Sequence, residues 1–156
     1  MIKENYGLKG KLSYELRDID GNLIDEGKEI NTITNFMDAH VADQMSDSAE
    51  AQIGFMAIGS GTGGTASSTD LSNFVEIVAL SGTGPIQGSA GDDNDVIYYG
   101  YWGAGEGTNT SITEAVIFQA SGTTRTSLST YNDGLSINKG ASDTLKITWT
   151  VTFGAS

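Results

Sequence analysis

The sequence predicts an all-β domain, mainly an antiparallel β-sandwich, with one short α-helix near residues 34–46. Three observations predict it. The 156 residues hold 21 glycines and a single proline among many Thr and Ser, which suits strands joined by glycine turns better than a helical bundle. Leu145, Ile147, Trp149, Val151 and Phe153 alternate with Lys146, Thr148, Thr150 and Thr152, the pattern of a strand half-buried in an antiparallel sheet. Asp20-Gly21 separates two extended runs, and an Asp-Gly pair so placed favours a hairpin because the turn needs positive φ.

The elements follow in order. Residues 1–10 are expected to form an N-terminal arm of the single domain spanning 1–156. Lys11 to Ile19 alternates, with Leu12, Tyr14 and Leu16 on one face, and Asn22 to Ile30 resumes after the turn. Asp18, Asp20 and Asn22 resemble part of a calcium loop. Counted from Asp18, the sixth slot holds Leu23 where such a loop requires glycine, although the twelfth is Glu29, and a hairpin turn is the expectation. Thr34 to Ser46 is the helix, with Asn35 as its cap, Asp38 three residues on, and Phe36, Met37, Val41 and Met45 as its apolar stripe. Strands are expected over Gln52–Ile58, Asn73–Leu80, Asp95–Trp102 and Ser111–Gln119. The stretch from Arg125 to Ile137, interrupted by Asn132-Asp133-Gly134, gives no clear element.

Charge and composition narrow the function. Eight Lys and Arg against twenty Asp and Glu give −12, which disfavours nucleic acid and anionic membranes as partners. Cysteine is absent, so neither disulfides nor thiolate metal sites are expected. The N-terminus has no apolar core of a secretory signal, and no apolar run approaches the ~20 residues of a membrane helix.

Gly59, Gly61 and Gly64 fit the spacing G-x-G-x-x-G after the apolar run Ile53–Ile58. A dinucleotide site needs a helix next, to receive the pyrophosphate on its N-terminus. Here Ala66 to Asn73 is small, polar and without helical periodicity, and no lysine follows Gly64 to serve a phosphate loop. A solvent-facing loop is expected instead. This loop and Ser81–Asn94 are long enough to be mobile and to contact partners.

No catalytic, cofactor-binding or metal-binding residues are assigned. His40 is the only histidine and has no nucleophile motif to serve, and Asp92-Asp93-Asn94-Asp95 reads as a solvated loop. The aromatic run Tyr98-Tyr99-Gly100-Tyr101-Trp102 puts Tyr98 and Trp102 on one face of a strand and Tyr99 and Tyr101 on the other. Tyr99, Tyr101 and Trp102, with Thr62, Ser67 and Asp70 of the glycine loop, are the candidate interface residues.

Four stretches carry a resemblance. The Asn-rich lead into the helix, "NTITNFMDAHVADQM", precedes the strand end Ala57 to Thr62 with its Thr/Ser/Asp loop. The segment Ile112 to Ala115, "ITEA", follows, and Lys139 with Asp143 to Phe153 closes the series. In this order they resemble small structural proteins of tailed bacteriophages, over most of residues 30–153. The chain departs from them at Thr126–Ile137, which is polar, and at a longer loop over Gly82–Asp95. The resemblance implies a virion component that is not an enzyme, assembled in the host cytoplasm. It would decorate or cement the capsid shell by binding the major capsid protein or other virion proteins, as a homo-oligomer, trimers especially. The alternative it leaves open is a tail-associated or fibre protein binding a host surface glycan through Tyr99 and Tyr101.

Overall fold

The computed structural model describes residues 7–46, 51–82, 84–119, 128–132 and 134–154, with 128–132 described through the backbone alone. Of the expected arm, residues 1–6 lie outside these. From Leu8 onward the chain is already strand.

Strands β1 (Leu8–Arg17) and β2 (Leu23–Ile33) form the expected hairpin. Gly21 takes φ +83°, and its N–H donates to the Asp18 carbonyl at 3.0 Å. The Asp18 carboxylate accepts the Asn22 side-chain amide and the backbone N–H groups of Asn22 and Asp20 at 2.9–3.1 Å. These bonds, the Asn22 side chain's foremost, hold the Asp18 carboxyl below its ordinary range. The acidic constellation thus closes a turn.

On the other side of β1 lies β11 (Thr144–Phe153), then β6 (Asp95–Trp102) and the short β5 (Ile86–Gln87). The alternation read from residues 145–153 is realised: Leu145, Ile147, Trp149 and Val151 are buried, and Phe153 packs at the edge of the same core. Register supplies their neighbours. Trp149 lies between Leu12 and Tyr98, and Leu145 between Leu16 and Trp102. Each such side chain, fully removed from water, contributes about 1.5–3 kcal/mol.

β2 outlasts its pairing with β1. After Asn31, Thr32 and Ile33 pair with β9 (Leu128–Asn132), which is followed by β8 (Glu114–Phe118), β3 (Phe55–Gly59) and β4 (Phe74–Ala79). The nine strands form one antiparallel sheet in the order β4-β3-β8-β9-β2-β1-β11-β6-β5. Its two halves face each other across one core, in which Leu12, Leu16 and Trp149 meet Met56, Ile58 and Ile117. The halves approach so closely that a Cβ on Gly100 of β6 would stand 2.6 Å from the Met56 Sδ of β3. At the crossover, the Asn31 amide is buried over Gly10 with no hydrogen-bond partner among the described residues. A second, two-stranded sheet pairs β7 (Asn109–Ile112) with β10 (Ile137–Lys139). The polar stretch that gave no clear element therefore holds β9 and the start of β10; its residues 125–127 and 133 lie outside those described. Lys139 is buried, its Nζ donating to the Gly103 carbonyl at 2.9 Å. Burial pulls this ammonium below the usual lysine range, opposed by Asp143 and Glu106.

Two expectations need correction. The helix α1 spans Asn35–Ser46, so the capping position is Thr34, which is buried; the Asn35 N–H instead donates to the Ala66 carbonyl at 2.8 Å. The apolar stripe does not bury as a unit. Only Met37 is buried, and Phe36 and Met45 face solvent. The second correction is the strand expected over Ser111–Gln119, which divides at Thr113 into the end of β7 and β8, in different sheets, and all five residues of β8 are buried. Ala115 and Ile117 enter the main core, while Val116 and Phe118 form a smaller cluster with Phe55, Ala57, Ile77 and Leu71 on the opposite face.

Tyr98 gives the core a measurable signature. Burial raises its phenol to about 12 from 10.0. A raised folded-state value means that its contribution is complete below pH 10 and is lost as pH climbs toward 12. Urea unfolding at pH 9 and pH 11 should show wild type losing about 1.4 kcal/mol more than Tyr98→Phe. Parallel losses would contradict the burial.

Candidate functional site

The glycine loop is where the sequence poses its sharpest question, and the structure answers it with an internal anion. Residues 65–82 contain no helix. The chain after β3 turns back over the outer face of β3 and β8 and returns as β4, pressing Leu71 into the cluster around Phe118. The side chain of Glu114, fully buried at the start of β8, reaches into this loop. Its Oε1 accepts the N–H of Gly61 at 2.9 Å and of Asn73 at 2.7 Å, and its Oε2 accepts the N–H of Ser72 at 3.0 Å.

The glycines are required by this close approach. A Cβ on Gly59 would stand 2.5 Å from Glu114 Oε1 and 2.6 Å from the Asn73 carbonyl oxygen, and one on Gly61 would stand 2.7 Å from Oε1 and meet Ser72 Cβ. The neighbouring Thr113 hydroxyl donates to the Gly61 carbonyl at 2.6 Å, and the Ser60 N–H donates to the Asn73 carbonyl at 2.8 Å. Amides that in another setting would cradle a phosphate here hold a carboxylate of their own chain. The segment Ala66–Ser72, expected as a long loop, is thus tied to β8 on both sides, through Gly61 and through Ser72 and Asn73. Thr62 and Ser67 are exposed on the loop surface, while Asp70 is half-buried with Oδ1 accepting the Leu71 N–H at 2.8 Å.

The aromatic segment divides as its alternation requires. Tyr98 and Trp102 are buried and Tyr99 and Tyr101 point outward. Trp102 is thus no interface residue; it packs between Leu145 and the opposing half, and a Cβ on Gly107 would stand 3.1 Å from its ring. Tyr101 is 49% exposed and Ile86 41%. They line an open groove of about 400 Å³ with Ser81, Gly82, Tyr99 and Lys146. Lys146 Nζ lies 5.2 Å from the Tyr99 ring centroid, within cation–π range. A second groove of about 390 Å³ continues from Lys146 and Thr148 across Ser13, Glu15, Glu26 and Lys28. The outer face of β5-β6-β11-β1-β2 is thus a shallow floor of Tyr, Thr, Lys and Glu, suited to holding a partner by contact.

Elsewhere, Asp95 accepts the Thr152 hydroxyl and Asn94 Nδ2 donates to the Phe153 carbonyl, so the acidic loop is pinned to the end of β11. His40 lines a mainly apolar groove beside α1 with Met37, Val41 and Ile53. Among the described residues no three His, Asp or Glu side chains converge as a metal site, and no helix is long and apolar enough to cross a membrane. Sequence reasoning missed Glu114 as the partner of the glycine loop. The signal was present in an acid inside an otherwise apolar strand, since buried carboxylates need donors.

Removing that acid orphans three amides, each bonded to a charged group at about 1.5–3 kcal/mol. Glu114→Ala should therefore cost about 3–5 kcal/mol, and Gly61→Ala a comparable amount through steric overlap, while Thr62→Ala stays within about 0.5. Urea denaturation of the three variants checks this; a Glu114→Ala protein as stable as wild type would contradict it. Comparisons with protein-family models, with curated proteins and with solved structures find no match to the chain.

Proposed function

We propose that this chain is a non-catalytic structural protein of a phage virion, which decorates or cements the capsid shell by binding the major capsid protein as a homo-oligomer. One observation carries the reading. Three of the four stretches that resemble phage structural proteins meet at one place in the fold. Glu114 of "ITEA" fills the loop that follows Ala57–Thr62, the helix start donates to that same loop at Ala66, and the closing strand is paired on both sides in the other half.

Adhesion is the chemistry the surface offers. The corner formed by Tyr101, Ile86 and the Ser81–Asn94 loop combines exposed aromatic and aliphatic groups with the Lys146 ammonium, the mixture typical of anchor residues in protein interfaces. A stable interface buries about 800 Å² per partner, so the loop would join the corner in the contact. Clamping neighbouring capsomers this way adds buried area that opposes the pressure of packaged DNA.

A second reading is favoured by one feature, the half-exposed Tyr101 ring beside Lys146 and Thr148. Aromatic faces stack on sugars, and the protein would then bind a host glycan from the tail.

Electron-microscopic reconstruction of the particle tests the proposal. Density for this fold should lie on the head shell with the Tyr101–Ile86 corner against a neighbouring subunit. Particles carrying Tyr101→Ala with Ile86→Ala should keep roughly a tenth of the copies or fewer. Density confined to the tail, with saccharide binding on a glycan array that Tyr101→Ala abolishes, would replace the first reading by the second. Absence from the particle would overturn both.

A further inference from the structure

The cations of this chain are segregated. Five of its eight Lys and Arg residues, Lys9, Lys11, Arg17, Lys28 and Lys146, project from the outer face of the β5-β6-β11-β1-β2 half. On β1 they alternate with buried Leu12 and Leu16, on β11 Lys146 sits between buried Leu145 and Ile147, and Lys28 stands opposite outward-facing Ser13. Directly opposite residues of an antiparallel ladder share a face. The acids on the same face are Glu15, Glu26 and Asp95. This face is net positive on a chain of net charge −12, so the rest of the surface holds the excess acid.

Two of the acids are engaged locally: Glu15 by Arg17 at 3.4 Å and Asp95 by the Thr152 hydroxyl. Lys11 and Lys28 make no ion pair among the described residues. Lys11 stands opposite Ile30, which is 88% exposed, and Lys28 is the next outward residue of β2; Ile24, half-exposed, lies beyond Glu26. The β1–β2 side of the face is therefore a cationic patch interleaved with isoleucine.

The helix α1 has the complementary composition. Asp38, Ala42 and Met45 recur at i, i+4 and i+7, hence along one side, and all are exposed, Met45 at 85%. Phe36 and Asp43, also seven apart, lie exposed on the opposite flank of the helix, with exposed Ala39 and Ala42 on the arc between the two pairs. This helix buries one residue, carries two carboxylates and no Lys or Arg, and leaves its largest apolar groups in water. An element that contributes so little to its own core presents a surface rather than completing one.

We infer that α1 of one copy docks on the β1–β2 outer patch of a second copy. With Ala39 and Ala42 toward the sheet, Lys11 and Lys28 reach up the two flanks of the helix to Asp38 and Asp43, while Met45 and Phe36 cover Ile24 and Ile30 from either side. Each copy carries both halves of the contact, so association closes as a two-fold pair or a ring. A nucleic acid would answer the lysines, leave Ile24 and Ile30 in water, and face the net charge of the chain. The inference rests on charge and exposure alone and is independent of the virion assignment.

Light scattering on the purified full chain tests it. At about 50 mM salt wild type should have a mass above that of one chain, and at about 500 mM salt screening should weaken the association. Lys11→Glu with Lys28→Glu should weaken it at least about tenfold, as should Asp38→Lys with Asp43→Lys, both folded by circular dichroism. Mixing the two reversed proteins should restore association, because each then offers the charge the other lost. A wild-type monomer at low salt, an oligomer indifferent to either reversal, or no recovery on mixing would overturn the inference. So would binding of a DNA duplex by the lysine patch without self-association. A monomer that still localises to the capsid would sink this inference together with the homo-oligomer of the proposed function, and would leave its capsid assignment standing.

Discussion

A carboxylate without solvent contact must be met by donors, and Glu114 is met by three backbone amides from a loop more than forty residues earlier in the chain. That interaction sets much of what surrounds it. It requires glycine at positions 59 and 61, because a side chain at either would occupy the volume of the carboxylate or of the returning strand. It fixes the loop over the outer face of β3 and β8, which allows Val116 and Phe118 to be buried on the side of the sheet away from the main core. β8 becomes apolar on both faces as a consequence, and its one charged residue is the one that closes the loop.

The same economy shapes the other half. The outer face of β5-β6-β11-β1-β2 stays polar because nothing in the described chain covers it, and its lysines collect there while the turns and the helix keep acids. β2 also carries Asp25 and Glu29 on its inward face, opposite Leu16 and Leu12. Over residues 23–31 no described strand pairs with β2 beyond β1, and charges turned inward along such an edge discourage further pairing. Association is thereby directed from the edge of the sheet to its faces, where both the Tyr101 corner and the lysine patch lie.

Much of this was legible in the sequence where a single face decided the pattern. Residues 145–153 alternate because one face of β11 meets the core and the other meets water, and the Asp20-Gly21 turn is a local matter of positive φ. Legibility failed where burial depended on distant chain. The stripe Phe36-Met37-Val41-Met45 looks like a packing face, yet only Met37 reaches the core, since no other described element fills the space beside the helix. Strand β9 was invisible because Leu128-Ser-Thr-Tyr-Asn132 has no apolar alternation; it forms by backbone pairing between β8 and β2. Trp102 was grouped with the outward tyrosines by composition, although its spacing from Tyr98 already placed it inside. The glycine spacing reads as a solvent-facing loop and does not foretell its carboxylate partner, because nothing local identifies a partner fifty residues away.

The central claim is that the loop after β3 is held as part of the folded core by Glu114, and amide hydrogen exchange on the native protein tests it most directly. The N–H groups of Gly61, Ser72 and Asn73 should exchange as slowly as those of β3 and β8, through global unfolding. Exchange at these three amides at the rate of an open loop, with the flanking strands still protected, would contradict the account.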